Sequence, residues 1–167
     1  MDLSSVDTIQ NTWDKISEEF AVPKVLFMHQ KATISLLLGG ESVFVGSPTG
    51  SGKTLAQLAT VLFSKGIISP GFFSLVDISC IFQGCALVIP PLQTIEYQMT
   101  QVCESWGISY LNLAAIDEKL IGEEIAAVKP KILISSIEKI STPSVQKQLF
   151  DLHLEYISLD EAQVRFC

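Results

Sequence analysis

The chain of 167 residues has a net charge of −7, a hydrophobic share of 48% and a mean hydropathy of +0.40. This length accommodates one domain with a sizeable core, and it excludes two ordinary domains. The acidic balance argues against non-specific adhesion to nucleic acid, which depends on many Lys and Arg side chains neutralising phosphates. The apolar composition indicates either parallel strands covered on both faces or apolar surface that further sequence normally covers.

The first third of the chain predicts two helices, a strand and a third helix. Helical spacing of apolar residues predicts the first helix over 7–20, and Pro23 ends it. A second helix is predicted over 27–38. The β-rich run 42–46 predicts a short strand that leads into a Gly-rich turn, and helical spacing returns over 54–63.

The remainder of the chain alternates strands with helices. Predicted strands occupy 86–89, 109–113, 132–135 and 156–159. A helix is predicted over 120–128, and two more carry inward-facing apolar residues: Ile95, Met99 and Val102 on one, and Val145, Leu149 and Leu152 on the other. Such alternation implies right-handed crossovers and a mostly parallel sheet in one α/β domain.

Three features bear on compartment and membrane. The apolar passage 67–92 contains prolines and glycines where a spanning helix would have to continue, so we expect no membrane association. The four cysteines lack the two-residue spacing of a zinc site and predict buried free thiols. No signal peptide opens the chain, which favours a reducing compartment.

The Gly-rich turn between strand 42–46 and the next helix carries the spacing of a phosphate-binding loop. Its glycines let successive amides point at phosphate oxygens, and the following helix adds its positive N-terminal end. Lys53 is placed to reach the β- and γ-phosphates, and the Thr54 hydroxyl to ligate Mg²⁺. The alternative is a turn that caps a helix and binds no ligand. The predicted nucleotide-binding residues of the loop are Thr49, Gly50, Ser51, Gly52, Lys53 and Thr54.

Two acids follow the last predicted strand. Asp160 and Glu161 come directly after 156–159, at the end of a strand where α/β sheets bind ligands. Asp160 is predicted to hold Mg²⁺, and Glu161 to orient and polarise the attacking water. With Lys53, these two residues form the predicted catalytic set.

These motifs resemble those of superfamily-two helicases, and RecQ-like helicases most closely. The loop Ser-Pro-Thr-Gly-Ser-Gly-Lys-Thr is similar to the first motif, and Asp160-Glu161-Ala162-Gln163 to the second, with Gln163 where His or Asp is commoner. The resemblance implies a P-loop NTPase (RecA-like) three-layer sandwich with a mostly parallel sheet, incomplete at its C-terminal end. It divides the chain into an N-terminal helix at 1–21 and a helicase ATP-binding domain at 22–167.

The same resemblance implies ATP and Mg²⁺ as cofactors and single-stranded or duplex DNA as partner. ATP hydrolysis would drive DNA unwinding, with roles in DNA repair and recombination. Gln30, within Phe27-Met28-His29-Gln30, corresponds to a glutamine that reads adenine; without the other motifs it is a solvated residue at a helix N-terminus. Segments 88–93, with Gln98, and 135–139 are similar to elements that grip a single strand by its backbone.

RecQ-like motors close ATP between two RecA-like domains, and the second domain supplies arginines to the transferring phosphoryl group. The sequence ends four residues after Gln163, so we expect a fragment without that domain, which binds Mg-ATP weakly and does not unwind duplexes. The expected location is the nucleus in a eukaryote and otherwise the cytoplasm.

Three alternatives to this function stay open: a DEAD/DEAH-type RNA helicase domain, another P-loop machine such as a nucleotide kinase or transporter ATPase, and a non-catalytic product that only binds nucleotide or a partner.

Overall fold

The computed structural model describes residues 3–20, 22–46, 48, 50–63, 84–90 and 93–159. Contacts divide the chain into two units, 1–83 and 84–167, and each is considered by itself. The predicted division into a helix at 1–21 and a domain at 22–167 remains a prediction. Within the described ranges, no helix is both long and apolar enough to span a bilayer.

Within its described residues, the first unit contains three helices: α1 (Leu3–Glu19), α2 (Met28–Leu38) and α3 (Lys53–Leu62). Helix α1 packs on α2, and α2 packs on α3. Trp13 is fully buried; its ring stacks on Phe63 at a centroid distance of 6.2 Å, and its Nε1 donates to the Pro23 carbonyl at 2.7 Å. All three predicted helices are confirmed, and α1 begins four residues before the predicted start at 7.

The predicted strand over 42–46 is wrong, because residues 41–46 have no regular secondary structure. A strand requires a hydrogen-bonded neighbour as well as β-branched and aromatic residues. No described residue pairs with this run, and Phe44 within it is 81% exposed. Local propensity therefore identified an extended segment without identifying a partner for it.

The described part of the second unit is built on four parallel strands in the order β2-β3-β1-β4. The strands are β1 (Cys85–Ile89), β2 (Tyr110–Asn112), β3 (Ile132–Ile134) and β4 (Leu154–Leu159). The helices between them are α4 (Gln93–Ser105), α5 (Ile121–Val128), α6 (Ile137–Ile140) and α7 (Pro143–Phe150), and a 3-10 turn covers Leu113–Ala115. The α/β fold with a parallel sheet is confirmed, whereas the sequence did not predict α6 or the 3-10 turn.

The core of this unit lies on β1 and β3. All five residues of β1 are buried, as expected for a parallel strand covered on both faces. Leu87 and Leu133 pack in one cluster with residues of α5 and α7: Ile121, Ile125, Val145 and Leu149. Leu152 follows α7 and packs against the same cluster. Cys85 and Cys103 are buried free thiols, as predicted, and burial raises the pKa of Cys103 to about 12.

Helix α4 presents a different stripe from the predicted one. Met99 is buried as expected, but Ile95 and Val102 are only partly buried. The buried residues follow spacings of three, four and three, starting one position later: Glu96, Met99 and Cys103 on the helix, and Trp106 directly after it. The burial of a carboxylate explains the error, because an apolar pattern does not include Glu.

The strands end level with one another. Ile89 of β1 is paired with Leu159 of β4, and Ile134 of β3 is paired with both Val88 and Asn112. The segments that follow these strands therefore leave the sheet at its carboxyl edge, where α/β sheets bind ligands.

Candidate nucleotide-binding site

The loop before α3 has the backbone of a phosphate cradle. Gly50 and Gly52 both have φ of +80°, a conformation that residues with a Cβ adopt at a cost. Gly52 caps α3, so Lys53 and Thr54 are the first two residues of that helix. Their amides belong to the first turn of the helix and carry the positive end of the helix dipole. These groups fit a phosphate.

The carbonyl of Pro48 organises the inside of the loop. It accepts the Ser51 amide at 3.2 Å and the Lys53 ammonium, also at 3.2 Å. The ammonium is therefore folded back over the loop and is not extended into solvent. An ammonium has three donors, so this bond leaves Lys53 able to contact a phosphate in the same place. Thr49, also predicted to bind nucleotide, lies outside the described residues, as does Ser47.

Gln30 is tied to the loop. Its side-chain amide donates to the Gly52 carbonyl at 3.0 Å, and its Oε1 accepts the Phe27 amide at 2.8 Å. Gln30 is only 1% exposed, so the alternative of a solvated residue at the helix N-terminus is wrong. Phe27 has no side-chain acceptor, so Gln30 supplies the one side-chain cap at this end of α2. The adenine-reading role of Gln30 remains a prediction.

Two features of this arrangement require glycine at position 52. A Cβ at position 52 would overlap Nε2 of Gln30, and φ at this residue is also left-handed. Glycine is the residue that satisfies both conditions. The close approach of the Gln30 amide to the backbone of the loop thus depends on the missing side chain.

His29 makes a second tie that the sequence did not predict. Its Nε2 lies 2.9 Å from the carbonyl oxygen of Ser51. The imidazole is stacked on the Phe27 ring at a centroid distance of 5.9 Å and an interplanar angle of 9°. The contact joins residues 22 apart, and no helical or strand periodicity connects them. Within the motif Phe27-Met28-His29-Gln30, only Gln30 was predicted to bind nucleotide.

Asp160 and Glu161 lie outside the described residues, so their roles in binding Mg²⁺ and activating water remain predictions. Strand β4, which precedes them, is described and ends at Leu159, level with Ile89 of β1. The predicted strand over 156–159 is confirmed, and it begins two residues earlier. Thr54, the other predicted Mg²⁺ ligand, occupies the first turn of α3.

Two segments predicted to contact a single strand follow the carboxyl ends of β1 and β3. Segment 135–139 forms a capped helical turn, in which the Lys139 amide donates to the Ser136 hydroxyl at 3.3 Å. The Lys139 ammonium donates to the Ile116 carbonyl at 2.9 Å. In the other segment, Gln93 begins α4 and Gln98 is exposed on it.

Glu96 adds a buried carboxylate to α4. It is 5% exposed, and burial raises its pKa, with a smaller increase from the Glu138 carboxylate and an opposing hydrogen bond from Asn112. The Glu138 carboxylate is fully exposed, and hydrogen bonds with its own backbone and with Ser136 lower its pKa. Carboxylates as well as Lys139 therefore lie on or beside these segments, so the predicted contact with phosphate would depend largely on amides and hydroxyls.

Sequence comparison identifies the family. The sequence profile of the DEAD/DEAH box helicases matches residues 27–165, most of the chain. The chain belongs to the DEAD/DEAH box helicase family. It is also 32% identical over 141 residues to a protein of Oryza sativa subsp. japonica named "DEAD-box ATP-dependent RNA helicase 57". That alignment covers 82% of this chain and 24% of the relative, so the chain spans about a quarter of the relative's length.

The helicase ATP-binding domain predicted from the motifs is therefore confirmed at the level of superfamily two. The RecQ-like subfamily is not supported, nor are the roles in DNA repair and recombination that it implied. The match favours the DEAD/DEAH-type alternative. The first motif and the Asp-Glu-Ala-Gln segment were interpreted as motifs of the superfamily, and at that level the prediction is confirmed.

Proposed function

We propose that this chain is the ATP-binding part of an ATP-dependent RNA helicase. The observation that carries the proposal is the backbone of residues 50–54, where two left-handed glycines lead into α3 with Lys53 as its first residue. Triphosphate would lie on the amides of this turn, with the ammonium of Lys53 beside it. RNA, in place of DNA, is proposed because the matched relative is named an RNA helicase.

Each residue of the proposed nucleotide site has a proposed role. The loop amides and Lys53 would hold phosphate oxygens, Thr54 and Asp160 would hold Mg²⁺, and Glu161 would orient and polarise water. When bound, the ion would supply positive charge that neutralises the phosphates. In the full-length protein, a second domain would complete the site and couple hydrolysis to strand separation.

Segments 88–93 and 135–139 are proposed to hold the strand at the carboxyl edge of the sheet. Lys139 is the one cation of segment 135–139, and the remaining contacts would come from backbone amides and from hydroxyls such as that of Ser136. Because the chain carries a net charge of −7, we expect affinity for RNA to be low and salt-dependent.

The experiment uses the 167-residue chain with Mg-ATP and two oligonucleotides of one sequence, one RNA and one DNA. Fluorescence anisotropy would measure the affinity for each strand with and without nucleotide. Tighter binding of RNA, strengthened by Mg-ATP, is the expected result. Equal or tighter binding of DNA would contradict the RNA assignment and leave the ATP site intact, whereas no binding of Mg-ATP would contradict the proposal as a whole.

A further inference from the structure

Two neighbouring carbonyls of the loop are held by side chains from the start of α2. The Ser51 carbonyl lies 2.9 Å from His29 Nε2, and the Gly52 carbonyl accepts from Gln30 Nε2 at 3.0 Å. The donors are consecutive residues, and the acceptors are consecutive residues. The N-terminal turn of α2 therefore contacts the loop at two adjacent peptide groups.

Holding a carbonyl also sets the direction of an amide. In a trans peptide the C=O and the N–H point in opposite directions from the same plane. The Ser51 carbonyl shares its peptide with the Gly52 amide, and the Gly52 carbonyl shares its peptide with the Lys53 amide. With both carbonyls turned toward α2, both amides are turned away from it, and these are amides that the proposed function assigns to phosphate.

The imidazole of His29 is itself held in place. Its ring stacks on the Phe27 ring at a centroid distance of 5.9 Å. Since a carbonyl oxygen only accepts, the ring nitrogen that faces Ser51 must carry a proton. His29 is half-buried, so this bond is partly shielded from water.

We infer that His29 is a positioning residue of the nucleotide site: its Nε2–H holds the Ser51 carbonyl outward and so points the Gly52 amide at the phosphates. The inference rests on the proposed nucleotide binding and goes beyond it, because it assigns a role to a residue outside the phosphate-binding loop. His29 does not touch the nucleotide in this assignment. It acts by orienting the peptide group between Ser51 and Gly52.

The test compares His29→Phe, which keeps a ring for the Phe27 stack and removes the donor, with His29→Gln, which keeps a side-chain N–H. Calorimetric titration with Mg-ADP should show an affinity about 3- to 10-fold lower for His29→Phe, the loss that corresponds to one hydrogen bond. His29→Gln should recover part of that loss. Adenosine, which has no phosphate, should bind both variants as it binds the wild type in ligand-detected NMR.

His153→Phe is the matched control, since this exposed histidine belongs to the other unit; it should bind Mg-ADP as the wild type does. A second measurement does not need a variant: in the ¹⁵N-labelled wild type, pyrophosphate should shift the Gly52 amide, and the ring spectrum should show the His29 proton on Nε2. Wild-type affinity for Mg-ADP in folded His29→Phe would overturn the inference, as would a proton on Nδ1 alone. If the wild type binds no Mg-ADP, the proposed function fails instead.

Discussion

The side-chain amide of Gln30 donates to the Gly52 carbonyl at 3.0 Å and occupies the space that a Cβ at position 52 would fill. The two residues belong to the start of α2 and to the turn before α3, so this contact joins the two helices at the phosphate-binding loop. Neither residue can be changed without affecting the other. The first two predictions depend on this coupling.

Gly52→Ala should destabilise the chain more than Gly40→Ala. Both glycines have left-handed φ, +80° and +74°, so both substitutions bear the backbone cost of roughly 1–2 kcal/mol. A Cβ at Gly40 meets nothing within 4 Å, whereas one at Gly52 overlaps Gln30. Urea unfolding should therefore show a larger loss for Gly52→Ala, and adding Gln30→Ala should remove the excess. Equal losses for the two glycine variants would contradict the contact.

Gln30→Glu should lower the free energy of unfolding by about 1–3 kcal/mol, because a carboxylate keeps the acceptor for the Phe27 amide but turns a second acceptor toward the Gly52 carbonyl. Lower pH should restore part of the loss, since a protonated carboxyl can donate. Gln146→Glu, at an exposed position of α7, is the control for the added charge. A loss no greater than that of the control would show that the Gln30 amide does not hold the loop.

Most helices and strands could be predicted because each carries its own periodicity, whereas α6 and the 3-10 turn are too short to show one. The P-loop was also predictable, since its chemistry lies in eight consecutive residues. The contacts of His29 and Gln30 with Ser51 and Gly52 were not, because they join segments 22 residues apart and follow no period.

Two further errors have physical causes. The run 42–46 has strand composition, but pairing depends on a neighbour that a local pattern cannot supply. The stripe of α4 was misplaced because Glu96 is buried in it. In a sequence pattern, a Glu residue predicts the solvent-exposed face of a helix, so its burial is recognised only from the fold.

Glu96→Gln should stabilise the chain at pH 7.5, and the gain should shrink as the pH falls toward 4. Burial raises the pKa of Glu96, so between the ordinary Glu pKa and the raised one the folded state holds more protons than the unfolded state. The wild type therefore loses stability as pH rises through that interval. Urea unfolding across this range, with the exposed Glu123→Gln as control, measures the difference. A gain that does not change with pH would contradict the assignment.

The most direct test of the nucleotide site is calorimetric titration of Mg-ATP into the wild-type chain, Lys53→Ala and Lys147→Ala. Lys53 is the first residue of α3 and its ammonium lies over the loop, whereas Lys147 is exposed on α7. We expect saturable binding by the wild type, the same affinity for Lys147→Ala, and an affinity about 10- to 100-fold lower for Lys53→Ala, as for loss of a hydrogen bond to a charged group. Equal Mg-ATP affinity in all three proteins would contradict the assignment of this loop as the nucleotide site.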